Sequence, residues 1–308
     1  MELNLDPIEI ESVLAPYLSE RMPIDSPEWR ARMQRLDRKW IRLARRRRWF
    51  GWLPSAPRAP DWLRGQKTQS DVKSEYERIW SGTSFPSPDT PSPRKPLAAQ
   101  WQDEGLLVKN GGLPRVHLVL MAKYIEELQP KRVLEVGCGD GRNLFSFSAR
   151  FPQISWSGIE LTKAGVERAH ATQAHSQLLP EAAGYMPWSV QDDGAYRAVE
   201  IRQGNARALP FEDNSFDLCF THLALEQMEA IRDDAVRELV RVSRGHLLCL
   251  EPFADFNQSR IQRNSVFATD YLSLSVDEFA SFGVKPLAVT SAFPQKVRLG
   301  HGLVFGAV

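Results

Sequence analysis

The chain has 308 residues, 43% apolar and 25% charged, the composition of a globular protein with room for one large domain or two small ones. A formal net charge of +1 excludes a partner selected by the field of the whole molecule, so any such preference must come from local clusters. Cys138, Cys219 and Cys249 form neither a C-x-x-C pair nor a metal spacing, and no apolar run reaches membrane-spanning length. Buried free thiols, no metal and a reducing, cytoplasmic setting are therefore expected. The first twenty-five residues suggest one weak helix, Ile8 to Leu18. Ser26 as N-cap and Pro27 at the first helical position open a stronger one. Trp29, Met33, Leu36, Trp40 and Leu43 recur at spacings of four and three, an apolar seam of about four turns. Ten cationic side chains, from Arg30 to Arg48, crowd the other faces, and Trp49, Phe50, Trp52 and Leu53 close the segment.

Three uses compete for the stretch from Ser26 to Phe50. The seam can pack on the protein's own body with the arginines solvated. The helix can instead lie on an anionic membrane surface, peripheral to the inner face, or serve as a basic arm for nucleic acid. The continuous seam favours the membrane over the nucleic acid. Farther on, Ser70 to Trp80 reads as a short helix with Tyr76, Ile79 and Trp80 on its apolar edge. Ser81 to Pro96 holds five prolines and four serines and reads as an extended strap. Seven of the nine tryptophans fall in residues 1–101, too aromatic for a disordered tail, so this region is expected to fold against something, as a cap or a partner surface.

Beyond residue 100 the pattern becomes regular. Pro114 starts a helix with Val116, Leu120, Tyr124 and Leu128 on one stripe, ended by Pro130. Arg132 to Val136 is a short apolar strand, and a helix follows from Asn143 to Arg150. Trp156 to Ile159, Val199 to Arg202, Phe216 to Thr221 and His246 to Leu250 read as further strands, with helices over Thr162–Gln177 and Ile231–Ser243 and with Gly245 as a C-cap. Residues 178–198 read as an irregular insertion. Leu287 to Phe293 and Gly302 to Val308 are strand-like runs joined without a helix, so they must be antiparallel. The expected fold is α/β: a doubly wound, seven-stranded, mostly parallel sheet with a C-terminal antiparallel hairpin. A helical, basic, proline-rich N-terminal extension over residues 1–100 precedes a domain over 101–308.

Between the first of these strands and its helix stands V-G-C-G-D-G-R-N. Gly137, Gly139 and Gly141 alternate, which lets the turn take left-handed angles and a ligand approach bare backbone. A P-loop would need Gly-Lys-Ser/Thr after it, and a dinucleotide fingerprint would want glycine where Arg142 stands. Glu135 and Asp140 beside the loop suit a ligand carrying an ammonium and a sulfonium. These residues resemble the first motif of the class I S-adenosylmethionine-dependent methyltransferases. The stretch G-N-A-R-A-L-P-F followed by E-D-N-S-F-D, from Gly204 to Asp217, is similar to the small-molecule branch often called type 11. The closing hairpin strengthens the likeness, which covers roughly residues 114 to 308.

The resemblance implies S-adenosylmethionine as cofactor. Glu135, Gly137, Cys138, Gly139, Asp140 and Gly141 would line its loop, Glu160 would accept the ribose hydroxyls, and Leu161 would lie on the adenine. Asn205, where the family usually has aspartate, would accept from the adenine amino group, with Ala206 offering its backbone N–H. Thr221 closes the fourth strand near the methyl. The family's usual histidine after that strand is missing, so His222 is the first candidate for a general base and Glu226 the next. No Asn/Asp-Pro-Pro-aromatic motif and no Pro-Cys pair is present, so a small-molecule, glycan or lipid-linked hydroxyl is expected over a nucleic-acid base. An RNA methyltransferase with a basic arm and a non-catalytic cofactor-binding scaffold are the alternatives.

Overall fold

The computed structural model describes residues 3–50, 67–82, 85–86 and 95–308. Trp52, Leu53 and most of the proline-rich strap therefore lie outside the described residues. Two sheets organise the chain. The larger has seven strands: β4 (Arg132–Val136), β5 (Ser155–Glu160), β6 (Glu200–Gln203), β7 (Phe216–His222), β8 (Ser243–Glu251), β9 (Lys285–Thr290) and β11 (Gly302–Ala307). Their order is β6-β5-β4-β7-β8-β11-β9. The first five are parallel, and β11 runs antiparallel between β8 and β9, so the expected doubly wound sheet and its closing hairpin are present.

The smaller sheet was not anticipated. β1 (Leu18–Pro23), β2 (Leu97–Trp101), β3 (Glu104–Val108) and β10 (Gln295–Lys296) form it in the order β1-β3-β2-β10. The N-terminal region is thus partly sheet as well as helix. It is stitched to the C-terminal hairpin through Gln295 opposite Gln100 and Lys296 opposite Ala99. Local pattern hides this pairing, because β10 is two residues long and its partner lies almost two hundred residues earlier.

The helices are α1 (Pro7–Leu14), α2 (Pro27–Phe50), α3 (Gln69–Gly82), α4 (Gly112–Leu128), α5 (Arg142–Arg150), α6 (Lys163–Gln173), α7 (Pro180–Tyr185), α8 (Arg232–Val242), α9 (Arg260–Thr269) and α10 (Val276–Ala280). α4 carries an almost unbroken buried face, from Leu113 to Ile125, and lies in the core with Phe145, Phe147 and Phe305. Gly245, expected to cap α8, lies instead inside β8, which starts at Ser243; there a Cβ would stand 2.8 Å from the Asp217 carbonyl oxygen. Short helices α9 and α10, both opened by serine capping boxes, fill the stretch between β8 and β9.

The basic helix α2 packs part of its seam on the protein's own body, which supports that expectation and lends no support to the membrane-surface one. Trp29 and Trp40 are 3% and 6% exposed. Trp29 joins Met22 and Leu107 in a small core, and a Cβ on Gly105 would lie 2.4 Å from its ring. The same helix runs along α9, with Asp37 paired to Arg260 and Arg47 to Asp270, the latter at 2.5 Å. Arg298 stands over the Trp40 ring at 5.7 Å. Trp29→Ala is expected to cost about 3–5 kcal/mol, the range for deleting a buried aromatic ring. A urea melt that moves by less than 1 kcal/mol would contradict this packing.

Candidate active site

β4 ends at Val136, and the backbone turns at once. Gly137, Gly139 and Gly141 have φ of 82°, 56° and 77°, the left-handed region that a Cβ disfavours. Space demands glycine too, since a Cβ on Gly139 would lie 2.4 Å from the Trp80 ring. Gly137 and Cys138 donate their N–H groups to the Ile159 carbonyl at 2.8 and 3.1 Å, tying the loop to β5. Glu160, at the end of β5, grips the same loop. One carboxylate oxygen accepts from Gly139 N–H at 3.0 Å, and the other accepts from the Thr162 N–H and hydroxyl at 2.9 and 2.6 Å. Burial raises the Glu160 pKa, and these three bonds oppose the rise.

The acids beside the loop divide into two kinds. Asp140 is held by Arg142 through two bonds of 2.8 and 2.6 Å, so its charge is already matched. Glu135 accepts from the Asn143 amide at 2.7 Å, while its other oxygen is buried with no partner. Burial pushes its pKa up to about 8. A cationic ligand would relieve both Glu135 and Glu160.

Above the loop lies a cavity of about 850 Å³. Its floor is Val136 to Asp140, with Ile159 to Thr162 on one side and Leu223 to Met228 on the other. Its roof comes from outside the large sheet: Gln69, Val72, Tyr76, Ile79 and Trp80 of α3, with Phe85 and Pro86 beyond. α3 is fastened at three places. Gln69 and Asn205 exchange amide hydrogen bonds at 2.7 and 3.1 Å. The Glu77 carboxylate caps α6, accepting from Lys163 and Ala164 N–H at 2.9 and 2.8 Å. The Arg142 guanidinium lies over the rings of Trp80, Phe85 and Tyr185 at 5.4, 5.6 and 6.0 Å. Tyr185 is set in turn by Arg115, which donates to the carbonyls of residues 184–186 at 2.7–3.0 Å.

On the other wall the polar groups form a chain. Asn143 donates to Glu135 and lies 3.2 Å from His222 Nδ1, and His222 Nε2 lies 3.0 Å from His117 Nδ1. If Asn143 donates, His222 carries its proton on Nε2 and passes it toward His117, whose own Nε2 is buried and unpartnered. His301 packs edge-on to His117, with ring centroids 5.7 Å apart. Burial pushes the pKa of His222 down to about 3. Both nitrogens of this neutral ring are engaged within the protein. Glu226, four residues on, differs: one oxygen accepts from Gln227 Nε2 at 3.2 Å, and the other is buried with no protein partner. Burial raises its pKa, with the nearby Lys296 ammonium opposing. Glu251 fixes this wall by accepting from the N–H groups of Ala224, Leu225 and Glu226 at 2.9, 3.1 and 3.1 Å.

Of the residues singled out from the sequence, Gly137, Cys138, Gly139, Asp140, Glu160, Leu161, Ala206, His222 and Glu226 all border this one cavity. Glu135 and Asn205 reach it through Asn143 and Gln69, Gly141 opens α5 beside it, and Thr221 lies fully buried in β7 away from it. Sequence reasoning missed Gln69, Asn143, His117, His301 and Lys296. Asn143 enters that reading only as the first residue of the helix after the loop, and Gln69 stands one residue before the helix expected over Ser70 to Trp80. The histidines converge from α4, β7 and the turn before β11, and no local spacing connects them. Among the described residues, no group of three His, Cys, Asp or Glu side chains is arranged to hold a metal ion.

Comparison with known proteins agrees with this geometry. Residues 134–249 match a family model described as a methyltransferase domain. A ubiquinone/menaquinone biosynthesis C-methyltransferase from Dinoroseobacter shibae is 32% identical over 148 residues, 46% of this chain and 50% of that protein. A malonyl-[acyl-carrier protein] O-methyltransferase from Erwinia billingiae is 28% identical over 135 residues, 44% of this chain and 43% of its own length. The chain thus spans about half the length of the curated relatives it matches. Among solved structures, the cyclase SpnF superposes over 78% of this chain and 96% of its own, with a TM-score of 0.51 at 16% identity, which shows a shared fold. Family model, sheet order and glycine loop together identify residues 134–249 as a methyltransferase domain with the fold of the class I S-adenosylmethionine-dependent methyltransferases.

Proposed function

We propose that the protein moves the methyl group of S-adenosylmethionine to a hydroxyl of a small, largely apolar acceptor. The observation that carries this is one roofed cavity bordered by both the glycine loop and Glu226, whose second oxygen has no partner in the protein. The residues suit the cofactor. The bare loop lets it approach, Glu160 keeps one lone pair for a hydroxyl on the oxygen that Gly139 touches, and Leu161 and Ala206 offer apolar contact. The two buried acids, Glu135 and Glu160, gain from a positive charge. When bound, S-adenosylmethionine supplies an electrophilic methyl on a positive sulfur, so the protein's part is positioning, exclusion of water and proton removal. Tyr76, Trp80, Phe85 and Tyr185 exclude water. Glu226 accepts the hydroxyl proton, and the neighbouring Lys296 ammonium favours its charged form. His222, with both nitrogens engaged, orients the wall instead.

Relatives include both a C- and an O-methyltransferase, and the free carboxylate oxygen favours an acceptor that gives up a proton. The roof of α3 and the inward seam of α2 argue against the RNA alternative, which needs an open site and an unoccupied arm. Transfer of a labelled methyl group to a panel of small phenols and alcohols, beside total RNA, tests the reading. Label in small hydroxyl compounds is expected. Label confined to RNA, or no calorimetric binding of S-adenosylhomocysteine, would sink it.

A further inference from the structure

Position 205 carries asparagine, and the structure shows what that does to the hydrogen-bonding capacity of the site. The Asn205 side-chain oxygen accepts from the Arg207 N–H at 3.0 Å, which identifies that atom as oxygen. The same oxygen accepts from Gln69 Nε2 at 2.7 Å, so both of its lone pairs are engaged. Asn205 therefore has no acceptor to offer an adenine amino group while α3 is in place. Its NH₂ donates to Gln69 Oε1 at 3.1 Å. By count, the amide pair keeps one free acceptor site, the second lone pair of Gln69 Oε1, and two free N–H donors. Gln69 borders the cavity together with Gly204 and Ala206, the neighbours of Asn205.

We propose that Gln69, on α3 and outside the matched domain, is the acceptor that reads the adenine amino group, with Asn205 holding its amide in orientation. This rests on the cofactor assignment above and deepens it. A carboxylate at position 205 would have oxygens to spare and could read the amino group by itself; asparagine cannot, and the missing acceptor is supplied by the roof. Cofactor recognition and closure of α3 become one event, because the group that reads the base is carried by the roof. The other two fastenings of α3, Glu77 on the start of α6 and Arg142 over the Trp80 ring, hold Gln69 at its post.

The test is calorimetric binding of two ligands to the full chain: S-adenosylhomocysteine and S-inosylhomocysteine, in which a carbonyl replaces the amino group. The wild-type chain should prefer the adenosine ligand by about 10–100-fold, the range for one hydrogen bond lost with a group left unpaired. Gln69→Leu alone returns one lone pair to the Asn205 oxygen, so the deciding variants are Asn205→Ala, which should keep a preference above about fivefold, and Gln69→Leu with Asn205→Ala, which should lose it while both ligands still bind. Gln69 and Asn205 are only partly buried, so their replacement leaves folding intact. A preference lost in Asn205→Ala alone overturns the proposal, as does a wild-type chain with no preference or a double variant that keeps it. A wild-type chain that binds neither ligand would instead remove the cofactor assignment itself.

Discussion

Glu226→Gln should slow methyl transfer by about 10²–10⁴, the usual worth of a general base, while S-adenosylhomocysteine binds within about twofold of wild type. Glutamine keeps the size and the contact with Gln227 but has no oxygen that can take a proton. The pH dependence follows from the direction of the shift. Burial raises the Glu226 pKa, so its carboxylate form is lost at a higher pH than for an ordinary acid. Turnover should therefore fall as pH drops through that raised value, and the acid limb should vanish in the glutamine variant. His222→Gln is expected to cost less, because His222 has no free nitrogen and its pKa lies near 3. Full activity in Glu226→Gln, with a loss in His222→Gln, would return proton removal to the histidine.

Gly139→Val attacks the site at its floor. The residue sits at φ 56°, where a β-branched side chain costs about 1–3 kcal/mol in backbone strain. The new Cβ would also lie 2.4 Å from the Trp80 ring, and relieving such overpacking costs about 1–3 kcal/mol more. Trp80 cannot simply retreat, since Arg142 stands over its ring. The sum, about 2–6 kcal/mol, predicts at least about a 30-fold loss in S-adenosylhomocysteine affinity, at about 1.4 kcal/mol per decade. Trp80→Ala in the same chain removes the collision but not the strain, so the double variant should recover part of the loss. Equal affinities in the single and double variants would mean that Trp80 does not form the roof.

The N-terminal region was legible as matter but not as architecture. Its tryptophans and the seam of α2 announced a surface to be covered, yet amphipathicity has the same period whether the cover is a membrane or the protein itself. Tertiary structure chose the protein, because Gly105 leaves room for Trp29 and α9 offers Arg260 and Asp270 to the polar side.

What the sequence determined by itself lies between Val133 and Asp217. The strand, the alternating glycines, Glu160 and the turn before β7 are neighbours along the chain, and their chemistry depends on backbone geometry that local residue types dictate. The sheet order and the closing hairpin followed from the same local rules, with strands alternating with helices until a helix-free link forced an antiparallel pair. What only the tertiary structure decided is everything that reaches the cavity from a distance. Gln69 meets Asn205 across 136 residues, and His117 meets His222 across 105. The roles of Glu226 and His222 were likewise undecidable from spacing. Whether a buried side chain can accept a proton depends on which of its atoms remain unpartnered, and partners are assigned by the fold.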